Sequence, residues 1–222
     1  MKKIYLLAIL ALLISSPGCS SSSNQSDGGE TTAKSTGRIY LQDDFSNEAS
    51  GWPRVRTDEG ITDYENGVYH IFVNLNNNDF FATRSLPFPS SDVRVEVDAT
   101  KVAGSDNNDF GILCRYQDNN NLYQFVLSSD GYVGILKLVD GSMQSIAAET
   151  LLENSAVNIG NAKNHIRADC VGNTLTLYVN GQQVSTVQDT TFVDNGAVGF
   201  FAGTYDNPGT DIHFDNFIVT AP

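Results

Sequence analysis

From Ile39 to Val219 the dominant period of apolar residues is two, and no stretch keeps an apolar 3.6-residue pattern for three turns. Such a chain folds as strands with one buried and one wet face, so the expected fold class is all-β. Asp92 to Thr100 is the clearest case: Val93, Val95, Val97 and Ala99 point one way, and Arg94, Glu96 and Asp98 the other. Tyr69, Ile71, Val73 and Leu75 alternate in the same manner, as do Leu175, Leu177 and Val179. Turn signals at Asn66-Gly67, Asp118 to Asn121, Asp130-Gly131, Asp140-Gly141, Asn180-Gly181 and Asn195-Gly196 separate these runs. Punctuation of this kind builds antiparallel hairpins. The segments near 40–46, 67–75, 79–85, 92–100, 110–117, 121–128, 132–139, 142–148, 164–171, 174–180, 183–188, 196–203 and 210–219 are the predicted strands. That is too many for one open twisted sheet, so two packed sheets are expected. No fixed-period repeat points to a propeller or solenoid.

Charge narrows the function classes. Lys and Arg number 13 against 26 Asp and Glu, a net charge of −13. A nucleic-acid partner would have to bind against that repulsive field, and an anionic membrane surface is equally disfavoured.

The amino terminus reads as an export signal. Lys2 and Lys3 precede the uncharged, aliphatic run Ile4 to Ile14, which is too short to span a bilayer. Ser15-Ser16-Pro17-Gly18 and Cys19 follow, then a polar stretch to Gly37 rich in Ser, Thr, Gly and Asn. The predicted organisation is a signal peptide over 1–18, a flexible tether over 19–37 and a globular domain over 38–222. The layout resembles a bacterial lipoprotein signal, which implies acylation of Cys19 and a lipid anchor in the cell envelope as the one membrane attachment. Ser16 stands where that pattern has an aliphatic residue, so ordinary secretion is the alternative. Cys114 and Cys170 then remain, an even number in an oxidising compartment, on faces shared with Phe110 and Ile112 and with Ile166 and Ala168. A disulfide is expected, with two buried thiols as the alternative; no CxxC or paired-His spacing suggests a metal.

Asp43-Asp44-Phe45, Gly51-Trp52-Pro53, the run Asp109 to Tyr116, Leu175 to Gly181 and Phe214-Asp215-Asn216-Phe217 resemble the concanavalin A-like lectin and glucanase superfamily. Its laminin G-like and 3-keto-disaccharide hydrolase-like branches are the most similar. The resemblance implies a jelly roll of two curved antiparallel sheets, with ligands on the concave face.

Several constellations invite chemistry. Glu96-Val97-Asp98 resembles the catalytic strand of family 16 glucanases, but Thr100 stands where a second Glu would act as acid, so no catalytic residue is assigned. His70, His165 and His213 fall on separate strands without HxH or HxxxH spacing, and no metal ligands are expected. Calcium is the one ion that the acidic, amide-rich loops Ser105 to Asp109 and Asp118 to Asn121 would suit, although Asn and Asp are also ordinary turn residues. If Cys114 faces the core, Arg115 faces away, and Gln124, Lys137, Glu96 and Asp98 are expected to join it in one hydrogen-bonding patch. The functional expectation is a tethered, non-catalytic sandwich that binds a glycan or an envelope polysaccharide. The alternatives are a glycoside-active enzyme and a structural or protein-binding module.

Overall fold

The computed structural model describes residues 37–87 and 90–222. The predicted signal peptide, Cys19 and all but the last residue of the predicted tether lie outside them. Sixteen strands and no helix occur among the described residues. In chain order they are β1 (Ile39–Asp43), β2 (Val55–Thr57), β3 (Gly60–Glu65), β4 (Val68–Val73), β5 (Asn78–Arg84), β6 (Val93–Ala103), β7 (Asn108–Asp118) and β8 (Asn121–Leu127), continuing with β9 (Tyr132–Val139), β10 (Ser142–Ser145), β11 (Leu152–Glu153), β12 (Lys163–Val171), β13 (Thr174–Val179), β14 (Gln182–Gln188), β15 (Ala197–Thr204) and β16 (Thr210–Thr220). The sequence pattern missed β2, β3 and β11. β3 is buried on both faces and does not alternate, while β2 and β11 are too short to show a period.

The strands form two antiparallel sheets. One runs β14-β13-β12-β6-β16-β4-β3-β2, with β1 also paired to β16; the other runs β10-β9-β8-β7-β15-β5, with β11 on β9. The Asn-Gly turns at 66–67 and 180–181 set hairpin registers as expected, whereas Asn195-Gly196 makes no hairpin, since β14 and β15 lie in different sheets. Asn66 and Gly67 both take positive φ (52° and 83°), as do Asn180 and Gly181 (50° and 81°), the backbone a tight two-residue hairpin requires.

The valines of β6 pack inward with Ile166, Ala168 and Cys170 of β12 and Leu175, Leu177 and Val179 of β13. Phe110, Ile112, Cys114, Tyr123 and Phe125 close on them from the other sheet. Cys114 and Cys170 form the expected disulfide, with Cα atoms 6.9 Å apart, and so tie β7 of one sheet to β12 of the other. Trp52 is a core residue: its ring lies 4.8 Å from Phe200 and 4.9 Å from Phe217, and its indole N–H donates to Asp43 Oδ2 at 2.9 Å.

A second apolar cluster lies on the outer face of the smaller sheet. Leu113, Leu122, Val126, Leu136, Leu138 and Phe201 are buried there, with Phe81, Tyr116 and Leu151 packed against them. An outward face that buries leucines is a departure from simple alternation, and it leads to the site.

Candidate functional site

The five residues expected to form one patch are divided by the structure among three places. Glu96 and Asp98 lie on the outer face of the nine-stranded sheet, opposite Arg167 and His165 of β12. The His165 ring bridges them, with Nδ1 2.8 Å from Asp98 Oδ1 and Nε2 3.1 Å from Glu96 Oε2. Lys163 Nζ and Asn216 Nδ2 also donate to Asp98 Oδ2, at 3.2 and 3.1 Å. The bond to Glu96 and then that to Asp98 raise the pKa of His165 against the opposing effect of burial. The same ring lowers Glu96; Asp98 is raised by burial but lowered further by His165, Asn216 and Lys163. Thr100, where the glucanase pattern has its acid, sits between Lys163 and His213. This is a mutually neutralised ion network on a sheet surface.

Arg115 and Lys137 turn away from the solvent face. Arg115 takes a positive φ of 51° at the break in register between β7 and β8, so its side chain leaves the alternation and enters the end of the sandwich. There it donates from Nε to Ser91 O at 3.1 Å, from one terminal nitrogen to Phe192 O at 2.9 Å, and from the other to Gly172 O at 2.7 Å. It holds three loops together and is 2% exposed. Lys137 pairs in register with Tyr123, not with Gln124, which places it on the inward side at the sheet margin. Its ammonium donates to Asp189 Oδ2 at 2.7 Å and Thr191 Oγ1 at 2.8 Å. Tyr123 donates to Asp189 Oδ1 at 2.6 Å and accepts from Phe192 N–H at 3.0 Å. Both cations are loop clamps.

Gln124 alone faces the outer side of the seven-stranded sheet as expected, between Leu113 and Leu136. Its Nε2 donates to Asp79 Oδ2 at 3.0 Å. Asp79 lies on β5, three strands away, which in a flat sheet is about 14 Å. The sheet therefore curls toward this side over the second apolar cluster, whose Leu113, Leu122, Val126 and Phe201 are fully buried, as is Gln124. Asp109 of β7 and Asp79 of β5 flank Gly203 of β15 in register. A Cβ on Gly203 would overlap Oδ1 of both carboxylates, so the two acids occupy the space that a side chain would fill. Burial raises the pKa of Asp79; burial and then the Asp79 charge raise Asp109 well above the usual carboxylate range. Burial and the two carboxylates in turn push the Tyr205 phenol up. Asp109 Oδ1 and Gln124 Oε1 are buried without a hydrogen bond. Unmet acceptors of this kind are uncommon in a folded interior.

Asp79 also lines an open cleft of about 340 Å³ with Asn78, Phe80, Phe81 and Asn119. Tyr205 lines another of about 580 Å³ with Asn107, Ser128, Asp130, Tyr132, Thr150 and Leu151. By sequence Asp109 ends an acidic loop and opens the run to Tyr116, and Asp79 carries no motif. The motif around Gly203 carries no signal until the β5-β15-β7 register is known.

The two acidic loops use their groups internally. Asp118 Oδ1 accepts from Asn120 N–H at 2.7 Å and from the Asn121 amide at 3.1 Å, and Asn108 donates to Ser105 O at 2.8 Å. The reading that separates the histidines is corrected by topology. His70 and His213, 143 positions apart in the chain, are direct cross-strand partners on β4 and β16.

No protein-family model and no curated protein sequence matches the chain. Solved structures do. The carbohydrate binding module CBM66 from Bacillus subtilis is 19% identical over 77% of this chain and 95% of that one, with a TM-score of 0.53. A Bacillus licheniformis β-glucanase is 12% identical over 84% and 100% of the two chains, with a TM-score of 0.57. A GH43 protein from the same species is 16% identical, covering 82% of this chain and 39% of that one at a TM-score of 0.62. A Bacillus subtilis protein with a galectin-like fold is 11% identical over 83% and 96%, with a TM-score of 0.59. The chain therefore has the fold of the jelly-roll sandwiches to which concanavalin A-like and galectin-like proteins belong.

Proposed function

We propose that this protein is an envelope-tethered sandwich that binds a carbohydrate in the cleft beside Asp79 on its seven-stranded sheet. The observation that carries the reading is the open cleft in which the Asp79 carboxylate, held by Gln124, lies with Asn78, Asn119 and the aromatics Phe80 and Phe81. A sugar ring presents hydroxyl donors on its rim and C–H groups on its faces, which match acceptors set beside apolar and aromatic walls. The fold shared with a carbohydrate binding module and with a β-glucanase agrees with such a ligand. The export signal, Cys19 and the polar tether support lipid anchoring of the mature chain.

The test is a glycan array with the full chain, followed by titration of whatever binds. Asp79→Asn and Gln124→Ala each weaken binding at least about tenfold, whereas Glu96→Gln, on the other sheet, leaves it unchanged.

A second reading rests on Asp79 and Asp109. Burial raises the Asp79 carboxyl, and burial and then the Asp79 charge raise Asp109 well above the usual range, the direction a general acid needs. If the protein cleaves its glycan, Asp109→Asn abolishes release of reducing ends while binding persists. No product from any bound glycan leaves the binding reading alone.

A further inference from the structure

The outer face of the nine-stranded sheet carries a second cluster that the carbohydrate reading does not use. His70 and His213 lie directly opposite one another on β4 and β16, with ring centroids 5.2 Å apart. Glu65, at the end of β3, and Asp211, two residues before His213, close the group from either side. One donor atom each from Glu65, His70 and His213 can be chosen so that all lie within 4.8 Å of one another. Among the described residues no other group of His, Cys, Asp and Glu meets that condition.

The state of His70 points to a ligand. Its side chain is 9% exposed. Nδ1 approaches Glu65 Oε2 at 2.8 Å and Nε2 approaches Asp211 Oδ1 at 2.9 Å. Neither approach is aligned as a hydrogen bond, so both buried ring nitrogens, and Asp211 Oδ1 with them, lack one. The surrounding groups do not relieve this. Asp63, opposite His70 on β3, is held by Arg54 at 2.6 Å and Arg56 at 2.5 Å, and the residue across from His213 on β6 is Thr100. Imidazoles beside carboxylates, turned on one another without hydrogen bonds, are the donor set of a transition-metal site.

We propose that Glu65, His70 and His213, with Asp211 beside them, bind a zinc-type divalent transition ion that clips β3, β4 and β16 together. Zinc bonds to nitrogen and oxygen of about 2.0–2.2 Å put the donors of one ion no more than about 4.4 Å apart. The present spread of 4.8 Å needs only a small rotation to close. Glu65, with a side chain 42% exposed, can supply it, and His213, 30% exposed, leaves a route for the ion from solvent. The mixed imidazole and carboxylate donors favour zinc over calcium, which takes oxygen ligands.

The experiment is calorimetric titration of the metal-stripped full chain, without a polyhistidine tag, by zinc sulfate and separately by calcium chloride, with thermal unfolding read in parallel. One zinc ion binds per chain and raises the unfolding midpoint, and calcium does not compete. His213→Gln, at a partly exposed position that folds without difficulty, weakens zinc more than about tenfold, as does Glu65→Gln. His165→Ala removes the other carboxylate-bound histidine of this face and leaves affinity unchanged. Cobalt(II) gives a tetrahedral visible spectrum in the wild type that His213→Gln loses. Absence of zinc binding by the folded chain overturns the proposal, as does binding that survives His213→Gln or that disappears with His165→Ala.

Discussion

Arg115 shows how much one residue can depend on backbone it does not control. Period two turns it outward from Cys114, and an outward arginine would be dispensable. The positive φ at its own position instead sends it into the sandwich, where three carbonyls accept from it. Arg115→Ala leaves those carbonyls without their buried donor and should cost roughly 3 kcal/mol, read as a lower urea midpoint at unchanged slope. A midpoint within error of wild type would show that solvent replaces the guanidinium. No signal in the sequence marks a non-glycine residue for a positive φ here. Lys137 was misplaced for a simpler reason: its face follows from a hairpin register that one residue's shift reverses, and the true partner of Gln124 is Leu136. The Asp79–Asp109 pair illustrates stability set against use. In the folded state both carboxyls hold protons above the pH at which an unfolded aspartate, near 3.8, has released them. Stability from these groups is therefore complete at low pH and is lost as pH rises through their raised folded values. Asp109→Asn should flatten that dependence and make the protein more stable at neutral pH. A variant less stable than wild type at neutral pH would contradict the burial argument.

Between elements, the strands that alternate cleanly were legible in the sequence, and their partners were not. β6 could be assigned an inner and an outer face from its valines alone, and the disulfide partners could be recognised as inward on two strands. That β12 would lie beside β6, placing His165 across Glu96 and Asp98, depends on contacts more than 60 residues apart in the chain. The same holds for β4 and β16 and their paired histidines. The β6–β12 network gives a pH signature with two limbs. His165, raised, contributes below the ordinary imidazole value of 6.5 and loses that contribution as pH rises through its folded value. Glu96 and Asp98, lowered, contribute above their ordinary 4.5 and 3.8 and lose it as pH falls through their folded values. The stability difference between wild type and His165→Asn should thus be largest from about 4.5 to 6.5 and shrink on both sides. A difference independent of pH would mean that the ring acts through packing alone.

At the scale of the molecule, the period of two, the turn signals and the number of strands are enough for a two-sheet antiparallel sandwich. The curl of the smaller sheet was not legible. It is visible only because Gln124 reaches across three strands to Asp79, over an outer face of buried leucines and phenylalanine. Closure between the sheets also has a covalent part. The Cys114–Cys170 bond spans 56 residues and joins one sheet to the other, so its reduction should lower stability by about 4 kcal/mol on the chain-entropy account. Thiol titration of the denatured, unreduced chain should find neither cysteine reactive.

In the proposed reading the cleft beside Asp79, not the charged face of the larger sheet, receives the ligand. The most direct measurement is NMR mapping of backbone amides while the chain is titrated with a glycan identified by array. Shifts are expected to concentrate at Asn78, Asp79, Phe81 and Asn119 and to be absent in Asp79→Asn. Shifts confined to Glu96, Asp98 and His165, or no glycan bound by the intact chain, would contradict that reading.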